Sequence, residues 1–166
     1  LLMFGVGLHF SLRDLIADGQ TWEQALVMTD RMDYLNPMGN NLVYCLAIEK
    51  LAELDVPERA QMARVMFAEL TRINSHLVWL GTHALDLGAM SVFLYCFRER
   101  EYVLEIFEMV SGLRMNMAYV RPGGVAQDVP EAAIGKIRDF LKLLPKRLKE
   151  YEDLLSGQPI WTERTK

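Results

Sequence analysis

Arg31, Asp33 and Tyr34 lie within four positions of one another, in the stretch Thr29-Asp30-Arg31-Met32-Asp33-Tyr34-Leu35-Asn36-Pro37. A tyrosine on such a turn can present a phenolic O–H to a ligand, and a neighbouring guanidinium can tune it electrostatically. Other polar groups recur on one helical spacing further on, at Glu69, Arg72, His76, His83 and Asp86, with Trp79 among them. Their spacing puts them on one side of a helix and Leu70, Ile73, Leu77, Ala84 and Leu85 on the other. Such a stripe is either a solvated face or a polar seam turned toward another chain or a cavity. Trp79 favours the seam, since a large aromatic is common at interfaces. His76 and His83 are two turns apart, too far to share a metal ion. Asp86 stands near a helix C-terminus, where the helix dipole disfavours a carboxylate, so a compensating cation, a donor or a role is expected. Arg98-Glu99-Arg100-Glu101 alternates in charge and reads as a solvated turn or as the rim of a docking surface. Arg121-Pro122-Gly123-Gly124 reads as a loop. It lacks the flanking residues of a phosphate loop.

The elements that must carry these residues read as helices. Trp22–Met32 follows Thr21 as N-cap, and residues 38–54 follow Pro37. Pro57 precedes a long helix from Glu58 to about Leu87, closed by Gly88. Ser91 opens a fourth segment as far as the charge run at 98–101, and a fifth covers roughly 102–118. Pro130 starts a last helical stretch to Leu155, which Pro145 should kink or split. A short strand is conceivable only within residues 1–10. The expected architecture is all-α, a helical bundle around one long central helix.

Composition narrows the function. The 166 residues are 51% hydrophobic and 24% charged, a globular balance with enough chain for a real core. A net charge of −4 argues against a nucleic-acid partner. Cys45 and Cys96 show no ligand spacing and read as buried thiols, so no metal or cluster is expected on this chain. No apolar run reaches the length of a transmembrane helix. The chain begins with leucine and ends at Lys166 without a terminating signal, which suggests a fragment cut at both ends.

Five segments together resemble one family. They are Thr29-Asp30-Arg31-Met32-Asp33-Tyr34, Ser75-His76-Leu77, Gly81-Thr82-His83-Ala84-Leu85-Asp86-Leu87-Gly88-Ala89, Phe97-Arg98-Glu99-Arg100-Glu101 and Arg121-Pro122-Gly123-Gly124-Val125. In this order they are similar to the 49-kDa subunit, also called the D subunit, of NADH–quinone oxidoreductase (respiratory complex I). The resemblance runs from Trp22 to Lys166 and covers the central part of that protein. Residues 1–20 match poorly, with His9 followed by Phe10 where the family has glycine, and 21–166 read as the incomplete helical core.

The resemblance implies a fold related to the large subunit of nickel–iron hydrogenases. It also implies that the hydrogenase ligand positions of this segment are occupied by Asp33, Asn36 and Asn40, so that a quinone pocket replaces the metal. It makes Tyr34 the donor to one quinone carbonyl, and Asp86 the partner of a histidine that lies outside this chain. Arg31 and Asn116 would stand near an iron–sulfur cluster held by the adjacent B subunit, with Asn116 where many relatives carry histidine. Arg98, Glu99, Arg100 and Arg121 would face other subunits. The implied substrate is ubiquinone or menaquinone, and the implied partners are the B and C subunits and the membrane-embedded H subunit. NAD binding and proton translocation belong to the whole complex. The implied location is peripheral, on the cytoplasmic face of the bacterial inner membrane or the matrix side in mitochondria, and the fragment alone should be inactive. Two other readings remain: the large subunit of an energy-converting hydrogenase-like complex, and a non-catalytic helical scaffold for docking subunits.

Overall fold

The computed structural model describes residues 18–166. The strand conceivable within residues 1–10 lies outside them. Helix α1 spans Trp22–Thr29 and opens with a capping box. The Thr21 hydroxyl accepts from the Gln24 N–H at 3.3 Å, and the Gln24 side chain accepts from the Thr21 N–H at 3.1 Å. A cap of this kind contributes about 1 kcal/mol. The apolar spacing predicts a helix as far as Met32, but α1 stops at Thr29, where the bonding tightens into the Arg31-to-Met28 and Met32-to-Thr29 turns and the Asp30 side chain is buried.

Helix α2, Pro37–Ala52, starts on a proline whose missing N–H costs nothing at a first turn. Helix α3, Glu58–Asp86, is 29 residues long. It closes as a Schellman motif, with the Ala89 N–H on the Ala84 carbonyl at 2.7 Å and the Gly88 N–H on the Leu85 carbonyl at 2.9 Å. Gly88 sits at φ 99, a conformation that a side chain would strain.

Helix α4, Met90–Ser111, is continuous. The expected break at the Arg98–Glu101 charge run does not occur, because that run lies in mid-helix. Nor is the last long helix split: α5 spans Glu131–Ser156 with Pro145 inside it, and α6, Pro159–Arg164, follows. Ala133, Ile137 and Phe140 before the proline and Tyr151 after it are all buried, so packing on both sides holds the helix together against the lost hydrogen bond. The Arg121–Gly124 segment, expected as a loop, forms a small hairpin. Strands β1, Val120–Arg121, and β2, Gly124–Val125, pair antiparallel with Val120 opposite Val125. Pro122 and Gly123 make the turn, and Gly123 takes the positive φ, 85, that such a turn needs.

The described residues divide into two compact units, and α3 contributes to both. Unit 1 holds the described residues up to Glu69 together with Met115–Asp128. Its core includes Leu26, Met38, Cys45 and Phe67, with the Phe67 and Tyr119 rings edge to face at 5.1 Å. Unit 2 holds Leu70–Arg114 and Val129–Lys166. There α4 packs on α5, and Leu77, Ala84, Val92, Cys96 and Tyr151 form one buried cluster. The all-α expectation holds apart from the hairpin. Both cysteines are buried, and burial pushes their thiols up, to about 12 for Cys45 and about 11 for Cys96, so they act as core residues. Among the described residues no helix is long and apolar enough to cross a membrane.

Candidate functional site

The turn after α1 is built by its own hydrogen bonds. The Arg31 N–H reaches the Met28 carbonyl at 3.1 Å, the Met32 N–H reaches Thr29 at 3.2 Å, and the Asn36 N–H reaches Asp33 at 3.0 Å. Asp33 Oδ1 accepts from the Leu35 N–H at 3.0 Å, an Asx turn that fixes the residue between them. That residue is Tyr34, with a side chain 60% exposed. The Arg31 guanidinium folds back and donates to the Val27 carbonyl at 2.8 Å, where a cation satisfies a terminal carbonyl of α1. The turn therefore presents the phenol outward and holds the arginine against the helix end.

Asp33, Asn36 and Asn40 do not fit a soft metal ion. They offer a carboxylate and two amides where thiolates would be needed. The Asp33 carboxylate is also engaged by the Leu35 N–H, and Asn40 Nδ2 donates to the Asp33 carbonyl at 3.4 Å.

Asn116 belongs to the same unit as Arg31 and Tyr34. It sits at φ 54, with Ala118 at φ 43, and its buried Oδ1 has no hydrogen-bond partner among the described residues. Left-handed backbone at non-glycine residues costs energy and persists only where surrounding structure imposes it. Here it is imposed from two sides. Asp30, fully buried, accepts the Ala118 N–H on Oδ2 at 2.7 Å. The hairpin that follows is clamped by Arg64 and Glu49. Arg64 Nη1 donates to Glu49 Oε2 at 3.0 Å, Nη2 donates to the Arg121 and Gly124 carbonyls at 2.7 and 2.8 Å, and Glu49 Oε1 accepts the Gly123 N–H at 2.8 Å. Those bonds, with Arg64 contributing most, hold the Glu49 carboxyl below its usual range. Arg121 itself is exposed. Its Nε lies 3.4 Å from the Ala118 carbonyl.

On α3, Glu69 in unit 1 and Arg72, His76, Trp79, His83 and Asp86 in unit 2 are all exposed. Trp79 stacks on His83 with ring centroids 5.8 Å apart. Leu70, Leu77 and Ala84 are buried as the spacing predicts, but Leu85 is 38% exposed, at the edge of the apolar side. The cation that the Asp86 end of α3 calls for is Arg164, whose Nη1 donates to the Leu87 carbonyl at 2.9 Å.

The Arg98–Glu101 run is neither a turn nor wholly a surface feature. Glu99 is fully buried, paired with Arg98 at 2.7 Å and Arg147 at 3.1 Å and hydrogen-bonded by the Tyr151 hydroxyl. Arg98 and Arg100 are half-buried beside it, and the Arg100 guanidinium lies 5.5 Å from the Phe97 ring centroid. The Glu99 carboxylate, expected at a subunit interface, is instead spent inside unit 2.

Four residues that matter here were not singled out by spacing: Asp30, Glu49, Arg64 and Ala118. Arg64 carried a signal, because it shares the buried stripe of α3 with Phe67, Leu70, Thr71, Asn74 and Leu77. A groove of about 640 Å³ is lined by Leu42, Leu46, Leu54 and Val65 with Glu49 and Arg64, and Tyr34 is not part of it.

Residues 86–166 match the family model for the 49-kDa subunit of respiratory-chain NADH dehydrogenase. In Chloroflexus aurantiacus, D subunit 2 of the NADH-quinone oxidoreductase is 60% identical over 148 residues, 89% of this chain and 36% of that protein. In Salinispora arenicola, D subunit 1 is 62% identical over 88% of this chain and 34% of its own length. In Herpetosiphon aurantiacus, D subunit 1 is 57% identical over 96% of this chain and 37% of its own. The chain thus spans about a third of the length of the curated relatives it matches. With the Arg31–Tyr34 turn, the Asp86 helix end and the Arg121–Gly124 hairpin in place, this chain belongs to the family of 49-kDa (D) subunits of NADH-quinone oxidoreductases.

Proposed function

We propose that this chain forms part of the quinone-reducing site of an NADH:quinone oxidoreductase, in the arm of the complex peripheral to the membrane. The observation that carries the reading is the placement of Tyr34. The residue that the family resemblance assigns to quinone is held by an Asx turn and is 60% exposed, on a turn whose arginine is pinned to the end of α1. Phenols in water titrate near pH 10, so they stay protonated at neutral pH and can donate to negative charge developing on a quinone oxygen.

Reduction of a quinone to a quinol takes two electrons and two protons. The electrons would come from an iron–sulfur cluster held by the neighbouring B subunit. In this reading Tyr34 delivers one proton. Asp86 orients and charges a histidine, from a part of the 49-kDa protein beyond this chain, that delivers the other. Arg31 and Asn116 would stand on the cluster side, offering it a guanidinium charge and an amide dipole. Arg98, Arg100 and Arg121 dock against neighbouring subunits, with B, C and the membrane-embedded H as partners. Proton translocation and NADH oxidation are activities of the assembled complex on the cytoplasmic or matrix side, and this chain alone carries neither. The hydrogenase-like alternative has no support in the donor set at Asp33, Asn36 and Asn40. The scaffold alternative is favoured only by the exposed stripe around Trp79.

In the assembled complex, Tyr34→Phe should lower quinone reduction at least tenfold, which is about 1.4 kcal/mol of transition-state stabilisation. Electron transfer from NADH to a soluble acceptor upstream of the quinone should be unchanged. Unaltered quinone turnover and inhibitor sensitivity in a fully assembled Tyr34→Phe complex would remove the role assigned to Tyr34.

A further inference from the structure

We infer that Asp30 is a positioning residue that holds the Arg31–Tyr34 turn and the Asn116–Ala118 segment in one fixed arrangement. The inference rests on the proposed function, because those two segments carry its tyrosine, its arginine and its asparagine. Three observations support it. The Asp30 side chain is fully buried, and its Oδ2 accepts the Ala118 N–H at 2.7 Å across 88 residues of sequence. The segment it grips carries two non-glycine residues in left-handed backbone, Asn116 at φ 54 and Ala118 at φ 43. The other end is equally fixed. Asn41 Nδ2 donates to Thr29 Oγ1 at 2.8 Å and to the Leu26 carbonyl at 3.3 Å, which ties the end of α1 to α2 just before the turn begins.

Charge on Asp30 is costly where it stands. Burial pushes the Asp30 carboxyl up to about 6, against the opposing pull of the Ala118 N–H, Arg31 and Asn41. Oδ1 has no hydrogen-bond partner among the described residues. A carboxyl raised from 3.8 to about 6 on folding contributes stability that is fully present below 3.8 and is lost as pH rises through 6. At neutral pH the ionised Asp30 therefore costs stability. What the charge provides there is a stronger hold on the Ala118 N–H than a neutral oxygen gives. The groups around it are the Arg31 guanidinium on its own turn, the Cys45 thiol on α2, kept neutral by a value pushed up to about 12, and the uncharged Asn41 amide.

The test is Asp30→Asn in the assembled complex, with decylubiquinone as the quinone. The variant should assemble at least as well as the wild type at pH 7.5, because it removes a buried charge and keeps an acceptor oxygen. Its KM for decylubiquinone should rise threefold or more while kcat changes less than twofold. The wild-type KM should rise as pH falls from 7.5 to 5.5, and the variant's should not. An Asp30→Asn complex with wild-type KM and the wild-type pH profile would overturn the inference. Should that variant fail to assemble, the wild type decides alone, and a KM that is flat between pH 7.5 and 5.5 overturns it. Tyr34→Phe separates the two claims. If Tyr34→Phe impairs quinone reduction and Asp30→Asn leaves KM unmoved, the positioning inference falls and the proposed function stands. If Tyr34→Phe is silent, the function falls first.

Discussion

Arg64→Ala is expected to destabilise unit 1 by about 3–5 kcal/mol, the cost of removing one partner from a buried ion pair. Arg64 and Glu49 are 3% and 6% exposed, so neither charge can turn to water when the other is lost. The substitution also strips donors from the Arg121 and Gly124 carbonyls. Replacing both partners, as Arg64→Met with Glu49→Leu, should recover part of the loss by removing the unpaired charge. It cannot recover all of it, because the Gly123 N–H and the two carbonyls would each lack a partner, at about 1 kcal/mol or more apiece. The pH dependence has a definite sign. The Glu49 carboxyl is held below its usual 4.5, so its contribution is present above 4.5 and is lost as pH falls through the lowered value. Denaturant unfolding of the full-length 49-kDa protein as a function of pH would show this acid-side loss in the wild type and its absence in Arg64→Ala. A wild-type midpoint for Arg64→Ala would mean that the clamp does not hold the hairpin.

Glu99→Ala is expected to cost unit 2 about 3 kcal/mol, at the lower end of the same range. Its carboxylate is fully buried, but the partners it would abandon are better placed than Glu49 would be. Arg98 and Arg147 are 34% and 23% exposed, and both retain Glu150, at 3.0 and 2.9 Å. The Tyr151 hydroxyl keeps the Tyr95 carbonyl at 3.3 Å. Glu99→Gln preserves the shape and one hydrogen-bond acceptor and should cost less than half as much. Native-gel abundance of the assembled complex, with thermal unfolding of the 49-kDa protein, would rank the two variants. Equal stability of Glu99→Ala and the wild type would mean that the charges flanking Glu99 gain nothing from it.

Much of the framework was legible because it is set by local chemistry. Thr21 with Gln24, Pro37 at the start of α2 and Gly88 at the end of α3 each act through their own backbone neighbours, and each marks its boundary. The stripe of α3 followed from spacing alone. What was not legible depends on partners far along the chain. Arg98-Glu99-Arg100-Glu101 alternates in charge like a solvated turn, and only Arg147 and Tyr151, supplied by α5, make Glu99 a core residue. The hairpin at 120–125 has two residues in each strand, too few for any alternation to show. Asp30 lay in plain view within the motif, but its partner is the Ala118 N–H, and no local pattern announces a backbone donor 88 residues away. Tyr34 and Asp86, each exposed in its own unit, were accessible to comparison of motifs. The residues that hold the site in place needed the fold.

A role for Tyr34 in quinone reduction requires quinone to meet the turn that carries it. A photoreactive quinone analogue, cross-linked in the assembled complex and mapped by peptide sequencing, would show this directly. Labelling within residues 29–36, suppressed by excess unmodified quinone, is the predicted result. Competable labelling confined to other segments, with none in this turn, would contradict it.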